Sequence, residues 1–267
     1  MRPFKHLARL VLAATALMAA VAYGQPIPQN AHMYLPLLVK AQTLHWGSAP
    51  NPWILAAQVE KESCVSLKHR RCWTPYAELK TSRENGVGLG QITRAYNDDG
   101  SIRFDAQAQM REQYPLQLGD WTWDRRYEPE PQLVALVLMN RGNWFRLQKL
   151  FDEDRERWAA TLSAYNGGLG HVLKDRQLCQ KMKGCDSSKW FQNVEKYSVK
   201  SKAKWKGYGA SAFETNRRYP RVIMERAPDY RLVWFKLRDS QGKAEVSELA
   251  TANRSSGGSG AVKLSGN

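Results

Sequence analysis

The sequence predicts a mainly α fold with little or no β-sheet. Three observations carry that prediction. Apolar residues recur at three- and four-residue spacing through several segments. Asn51-Pro52 and Glu130-Pro131 place a polar residue and then a proline where helices open, because the missing proline N–H is harmless in a first turn. Runs of alternating β-branched and aromatic residues, the mark of strands, are few. The chain has 267 residues, 43% of them hydrophobic, with ten Trp. That length suits one substantial domain or two small ones, with a real core.

Residues 1–24 read as a secretory signal. Arg2, Lys5 and Arg9 precede an uncharged apolar stretch from Leu10 to Val21, and Ala20-Val21-Ala22 or Ala22-Tyr23-Gly24 supplies a small-residue cleavage site. The stretch is short for a bilayer span, and no stop-transfer pattern follows. No later segment is apolar enough to cross a membrane, so no transmembrane anchor is expected after cleavage. Residues 25–235 read as the folded unit. After a Pro-rich start, a short helix is predicted over 34–44. Asn51 caps a second helix, in which Ile54, Leu55 and Val59 keep helical spacing and Glu62 falls near the end. Residues 64–83 read as a basic loop, 84–93 are punctuated by glycines, and Asn97 to Gly100 (NDDG) is a turn. Residues 102–114 read as a helix stopped by Pro115. The longest helix opens at Glu130, with Leu133, Leu136, Val137, Asn140, Trp144 and Leu147 at helical spacing. Asp152 to Asp154 caps the next, on which Trp158, Leu162 and Tyr165 align before Gly167, Gly168 and Gly170 loosen it. Residues 213–225 form a further helix with Pro220 as a kink site. Residues 236–267 read as a flexible tail, Ser- and Gly-rich from Gln241 onward.

Forty Lys and Arg against 25 Asp and Glu give a formal charge of +15 and a pI near 9.8. Such charge suits an anionic partner. Nucleic acid is the generic one, but export separates the chain from it, so no nucleic-acid partner is expected. The four cysteines fit an oxidising compartment, periplasmic or extracellular. Three connectivities are open, and short separations favour Cys64 with Cys72 and Cys179 with Cys185. A zinc site lacks CxxC spacing and paired His, so neither metal nor other cofactor is expected. Residues 181–210 interleave Lys with Trp190, Phe191, Tyr197, Trp205 and Tyr208. They read as a solvated loop with anchoring aromatics, or as a contact surface.

Three segments carry chemistry when taken together: Val59 to Ser63 (VEKES), Glu84 to Gln91 (ENGVGLGQ) and Ala164 to Gly168 (AYNGG). In this order they suit a cleft that breaks a sugar–sugar bond. Such cleavage needs an acid that stays neutral at neutral pH, hence a raised pKa. Glu62 ends an apolar helix, where desolvation and the negative end of the helix dipole both disfavour its charge. Glu60 lies two positions back, on another face. Gly86, Gly88 and Gly90 allow an extended backbone to approach a ligand closely. Gln91 can donate and accept, as hydroxyl and acetamido groups require. Tyr165 would orient Glu62 and Asn166 would bind substrate; packing and helix capping are the structural alternatives. Trp121, Trp123 and Trp144 could stack on sugars, though core packing accounts for at least two of them.

The set resembles the catalytic domain of soluble lytic transglycosylases, lysozyme-like enzymes that cut peptidoglycan. That family carries Glu-Ser at a helix end, a Gly-Leu-Met-Gln-like strip, Ala-Tyr-Asn-Gly, and a helix with Glu-Thr and a Tyr. This chain has Glu62-Ser63, Gly88-Leu89-Gly90-Gln91, Ala164-Tyr165-Asn166-Gly167, and Glu214-Thr215 with Tyr219. The resemblance covers residues 34–225. It implies a lysozyme-like α-helical domain, Glu62 as acid and then base, and Ser63, Gly88, Leu89, Gln91, Tyr165, Asn166 and Tyr219 as a substrate-binding set. It implies peptidoglycan glycan strands as partner, with carboxylate-bearing stem peptides to match the basic charge. It also implies service to a secretion, conjugation or phage-related machine. Gly90 stands where the family carries Met, which implies a more open cleft floor. Glu84 is a candidate second carboxylate. With it the chain would be a hydrolytic muramidase, similar to goose-type lysozymes. A catalytically inactive wall-binding module is the third reading.

Overall fold

A computed structural model of the protein describes residues 25–204 and 210–256. The expected signal, Trp205, Tyr208 and residues 257–267 lie outside the described residues.

Helices α1 (Ala31–Trp46) and α2 (Ile54–Ser63) come first. Strands β1 (Glu78–Lys80), β2 (Glu84–Val87), β3 (Ile92–Tyr96) and β4 (Ile102–Asp105) follow as an antiparallel meander. Then come α3 (Ala106–Gln113), α4 (Pro115–Leu118), α5 (Pro129–Leu147), α6 (Asp154–Gly167) and α7 (Leu169–Gln180). A loop with one 3₁₀ turn leads to α8 (Ala212–Arg226) and α9 (Arg231–Ser256). Among the described residues no helix is long and apolar enough to cross a membrane.

α5 is the central helix. It packs on α1 and α6, and Leu133 to Leu138 are buried without interruption, as expected of a helix surrounded by protein. Beside it, Trp46, Trp144 and Trp158 form a tilted ring cluster with centroids 5.3–5.9 Å apart. A smaller core lies on the far side of α6, where Ala160 and Ala164 meet Val172, Trp190 and Val194. Glu156 anchors this side by accepting the backbone N–H groups of Trp190 (2.7 Å) and Phe191 (2.8 Å). The described part of the loop after α7 is thus a Lys-rich chain pinned by buried Trp190 and half-buried Phe191 and Tyr197. Both expected disulfides are present, Cys64–Cys72 and Cys179–Cys185.

The fold is mainly α with little sheet, as expected, although that small sheet forms one wall of the groove described below, and three other expectations are corrected. The sheet's strands have three to five residues and little alternation, so they leave almost no periodic signal. Residues 102–114 are not one helix. Asp105 ends β4, and its carboxylate accepts Ala108 N–H at 3.0 Å, capping α3 at Ala106. Asn51 does not cap α2. It sits in the left-handed region at φ 49°, and its carbonyl accepts Ile54 N–H in a preceding turn. Helix replaces the expected flexible tail as far as Ser256. The run 243–252 is rich in Ala, Glu, Lys and Leu, which favour helix, and Gln241 donates to the Pro36 carbonyl at 2.8 Å.

The glycine strip is a hairpin turn between β2 and β3. Gly88 has φ 80°, and its N–H reaches the Ala77 carbonyl at 2.6 Å. A Cβ there would stand 2.1 Å from the Gln132 side chain. Gln132 on α5 is fully buried. It accepts Leu89 N–H at 2.8 Å and donates to the carbonyls of Pro75 and Arg126 at 3.1 and 2.6 Å. One amide therefore ties the turn to the central helix. Gly88→Ala should displace it and strain the backbone, at a cost of about 2–3 kcal/mol. A denaturant midpoint within about 0.5 kcal/mol of wild type would contradict this.

Candidate active site

A groove crosses one face of the protein. Its first half, about 690 Å³, lies between the end of α2, the Cys64–Cys72 loop and β1–β2. Its second half, about 910 Å³, lies between β3–β4, α3, α5 and the α6–α7 junction. Glu84, Gln91, Thr93, Tyr165 and Asn166 line both halves, so the two are continuous there. Glu62 lines the first half, at the last turn of α2.

Glu62 is half-buried, and its Oε1 accepts a short hydrogen bond from the Tyr219 hydroxyl. Burial holds its pKa up at about 7, while the Tyr219 bond and the nearby Lys61 pull it down. Tyr219, on α8, is buried, and its own ionisation is pushed well up, first by burial and then by Glu62. The phenol therefore stays neutral and donates. Behind it runs a buried chain of amides. Gln58 Nε2 donates to the Tyr219 oxygen at 3.2 Å, and Asn140 Nδ2 donates to Gln58 Oε1 at 2.8 Å.

Tyr165 does not orient Glu62 by a hydrogen bond. Its hydroxyl donates to the Gly90 carbonyl at 2.6 Å. A Cβ on Gly90 would lie 2.9 Å from that hydroxyl, so Tyr165 fills the space of a side chain there. The floor at Gly90 is closed by Tyr165, not more open. Burial and then the Glu62 charge push the Tyr165 ionisation well up, which marks its proximity to the carboxyl. Asn166 is exposed in the groove, with Oδ1 accepting from Asn216 Nδ2 at 3.1 Å. Its amide N–H₂ has no hydrogen-bond partner among the described residues, which leaves it available to a ligand. Gln91 donates its amide N–H₂ to the carbonyls of Ala77 and Gly88, both at 3.1 Å. Its Oε1 stays in the groove, 2.8 Å from where a Gly86 Cβ would be.

Three expected ligands serve the framework instead. The Ser63 hydroxyl donates to the Val59 carbonyl at 2.7 Å and accepts Trp73 N–H at 3.1 Å, which spends it on the loop after α2. Leu89 is fully buried in the main core, and Gly88 forms the turn. Tyr219 lines neither half of the groove and meets it only through Glu62. Trp121 and Trp144 are buried, and Trp123 lies under Arg94, 3.8 Å from ring centroid to guanidinium, so none of the three lines this groove. Glu214 closes a capping box with Ser211. Glu84, on β2, faces both halves of the groove.

Glu60 differs sharply from Glu62. It is buried on the back of α2, where Arg226 binds it through two nitrogens at 2.7 and 2.9 Å and Tyr230 donates at 2.5 Å. Trp73 Nε1 in turn donates to Tyr230 at 3.0 Å. This charged clamp fixes α2 against α8 and the turn before α9.

Sequence reasoning missed Gln58, Gln132, Asn140 and Asn216. Each is a polar residue on a buried helix face, and that mismatch is the signal that could have found them. No known family model matches the chain, and no curated protein matches it.

The two glutamates should respond oppositely to mutation. A carboxyl whose pKa is raised from an unfolded value near 4.5 to about 7 costs stability as pH rises between those values. Glu62→Gln should therefore match wild type near pH 4 and exceed it by roughly 1–3 kcal/mol near pH 8. Glu60→Leu leaves Arg226 with Asp229 as its remaining carboxylate and the buried Tyr230 hydroxyl without its acceptor, and should lose about 2–3 kcal/mol. Urea unfolding of both variants at the two pH values checks this. A Glu62→Gln variant less stable than wild type at the higher pH would contradict it.

Proposed function

We propose that the protein is an exported peptidoglycan lytic transglycosylase. It cleaves the β-1,4 bond between N-acetylmuramic acid and N-acetylglucosamine. The observation that carries this reading is Glu62, a carboxyl whose pKa is raised to about 7 and which lines an open groove of two continuous halves, about 690 and 910 Å³. Below that pH it can protonate the glycosidic oxygen as the C1–O bond breaks. The carboxylate left behind takes the proton of the muramoyl 6-hydroxyl as that oxygen bonds to C1. The product is a 1,6-anhydro sugar, and Glu62 regains its proton. The nucleophile is part of the substrate, so its proximity requires no second catalytic carboxylate.

The surroundings agree with a charged polysaccharide. Lys61, Arg70 and Arg71 line the groove beside Glu62, and none is ion-paired among the described residues. They suit the carboxylates of stem peptides. The Cys64–Cys72 bridge and the Asn30 amide, which donates to the Arg70 and Cys72 carbonyls at 3.3 and 2.9 Å, hold that loop in place. Two disulfides fit a periplasmic or secreted chain. Small enzymes of this kind suit local wall opening for a secretion, conjugation or phage-related machine.

Glu84 supports a second reading, hydrolysis by a paired acid and base, because it shares the groove with Glu62. Mass spectrometry of digested sacculi separates the two. The lytic reading expects anhydro-terminated fragments, and products ending in reducing sugars would reject it. Glu84→Gln should keep activity within about tenfold of wild type, whereas Glu62→Gln should lose at least about 10³-fold. Equal losses would favour hydrolysis. Absence of any clearing on a wall zymogram by wild type would leave only a binding module. Activity should fall as pH rises through about 7, since Glu62 must start protonated.

The paired change Arg70→Gln and Arg71→Gln should raise KM roughly tenfold on peptide-bearing strands with kcat preserved. On strands stripped of peptide the effect should vanish. An equal effect on both substrates would contradict the assignment of this wall.

A further inference from the structure

The buried chain Asn140–Gln58–Tyr219 has a direction, and that direction is fixed at its far end. Asn140 Nδ2 donates to the Leu136 backbone carbonyl at 2.8 Å as well as to Gln58 Oε1. A backbone carbonyl only accepts, so it sets which end of the Asn140 amide faces it. With an N–H of Asn140 pointing at Gln58, the Gln58 oxygen is the acceptor, and its N–H₂ must face Tyr219. The Tyr219 oxygen then accepts from Gln58, and its hydrogen is left for Glu62 Oε1. Gln58 and Asn140 are both fully buried, so water does not offer them alternative partners. Asn140 Oδ1 has no partner among the described residues. An apolar side chain would avoid that unpaired oxygen, so what the amide provides is its donors.

We propose that Asn140 and Gln58 are positioning residues that lock Tyr219 as a donor and so keep the transferable proton of Glu62 on Oε2. Oε1 already accepts the Tyr219 O–H, and a protonated carboxyl oxygen is a poorer acceptor than its partner, so the proton is favoured on Oε2. Among the described residues no protein donor reaches Oε2, which leaves it to the substrate. Without the lock, Tyr219 could turn its hydrogen away and accept instead. A neutral Glu62 could then bury its proton on Oε1, pointed at the phenol and away from the groove.

This inference deepens the reading of Glu62 as an acid, but its first test needs no activity. The Glu62 carboxyl can be followed by ¹³C NMR across pH, its signal assigned by its loss in Glu62→Gln. In Gln58→Met the neutral carboxyl gains an arrangement that wild type disfavours. Its midpoint should rise by at least about 0.5 pH unit. Asn140→Leu frees Gln58 to flip and should shift it the same way by less. Loosened packing alone would admit water and lower the midpoint. The other groups facing Glu62 remain in place in both variants: Lys61 on α2, Tyr165 on α6, and Glu78, Glu84, His69, Arg70 and Arg71 around the groove.

On peptidoglycan strands, kcat should fall about three- to tenfold in Gln58→Met with KM unchanged. A midpoint unmoved or lowered in folded Gln58→Met overturns the proposal. If neither variant folds, the Gln58 side-chain amide protons of wild type decide it. They should shift with the Glu62 titration, and amide protons that ignore it overturn the proposal equally. A raised midpoint in a protein that cuts no wall would sink the enzyme reading alone. Full clearing with an unmoved midpoint would sink the relay alone.

Discussion

One carboxyl group is subject to two opposed forces, and the rest of the groove is arranged around their balance. Burial disfavours a charge on Glu62, and the Tyr219 hydroxyl favours it. Burial alone would leave an acid too weak to release its proton to a glycosidic oxygen. A stronger set of donors would leave it ionised and useless as an acid. A balance near neutrality is what the proposed acid-then-base role of one residue requires. It requires that the end of α2 stay where it is, since a small shift would expose the carboxyl to water or separate it from the phenol.

α8 supplies most of that constraint. Asn216, Tyr219, Ile223 and Arg226 recur at three- and four-residue spacing and are all buried. Asn216 holds Asn166 at the groove, Tyr219 holds Glu62, and Arg226 clamps Glu60 on the reverse of α2. Arg217, beside this stripe, pairs with buried Asp175 of α7 at 2.5 Å. One helix thus registers the Glu62 helix, the Tyr-Asn corner and the smaller core against one another. The opposite wall is registered by Gln132, together with the Tyr165 bond to the Gly90 carbonyl, which fix the glycine turn and with it the carbonyls that orient Gln91.

Much of this was legible in the chain. Helical spacing located α2, α5, α6 and α8, and the same segments carry Glu62, Tyr165, Asn166 and Tyr219. Short separations pointed to the two disulfides. The sheet was not legible, because strands this short are defined by backbone pairing and by Asp105, which caps a helix where the apolar pattern ran on. The roles within the site were only half legible. The sequence puts Glu60 and Glu62 on different faces of one helix, but that Glu60 belongs to a buried ion pair is visible only through the distant Arg226 and Tyr230. Ser63 beside the acid reads as a ligand until Trp73, ten residues on, takes its hydroxyl. Asn140 reads as one more position on an apolar face until Gln58 meets it.

The groove is open, and under the proposed function its basic rim and its raised-pKa acid would have two different tasks, gripping charge and delivering a proton. Those tasks are separable only if Glu62 is in fact neutral near physiological pH. Infrared difference spectra of the protein between about pH 6 and pH 8.5 test this most directly. The account predicts that a protonated carboxyl stretch disappears on raising the pH and that this band is missing in Glu62→Gln. A spectrum identical in the two proteins, with no such band assignable to Glu62, would contradict it.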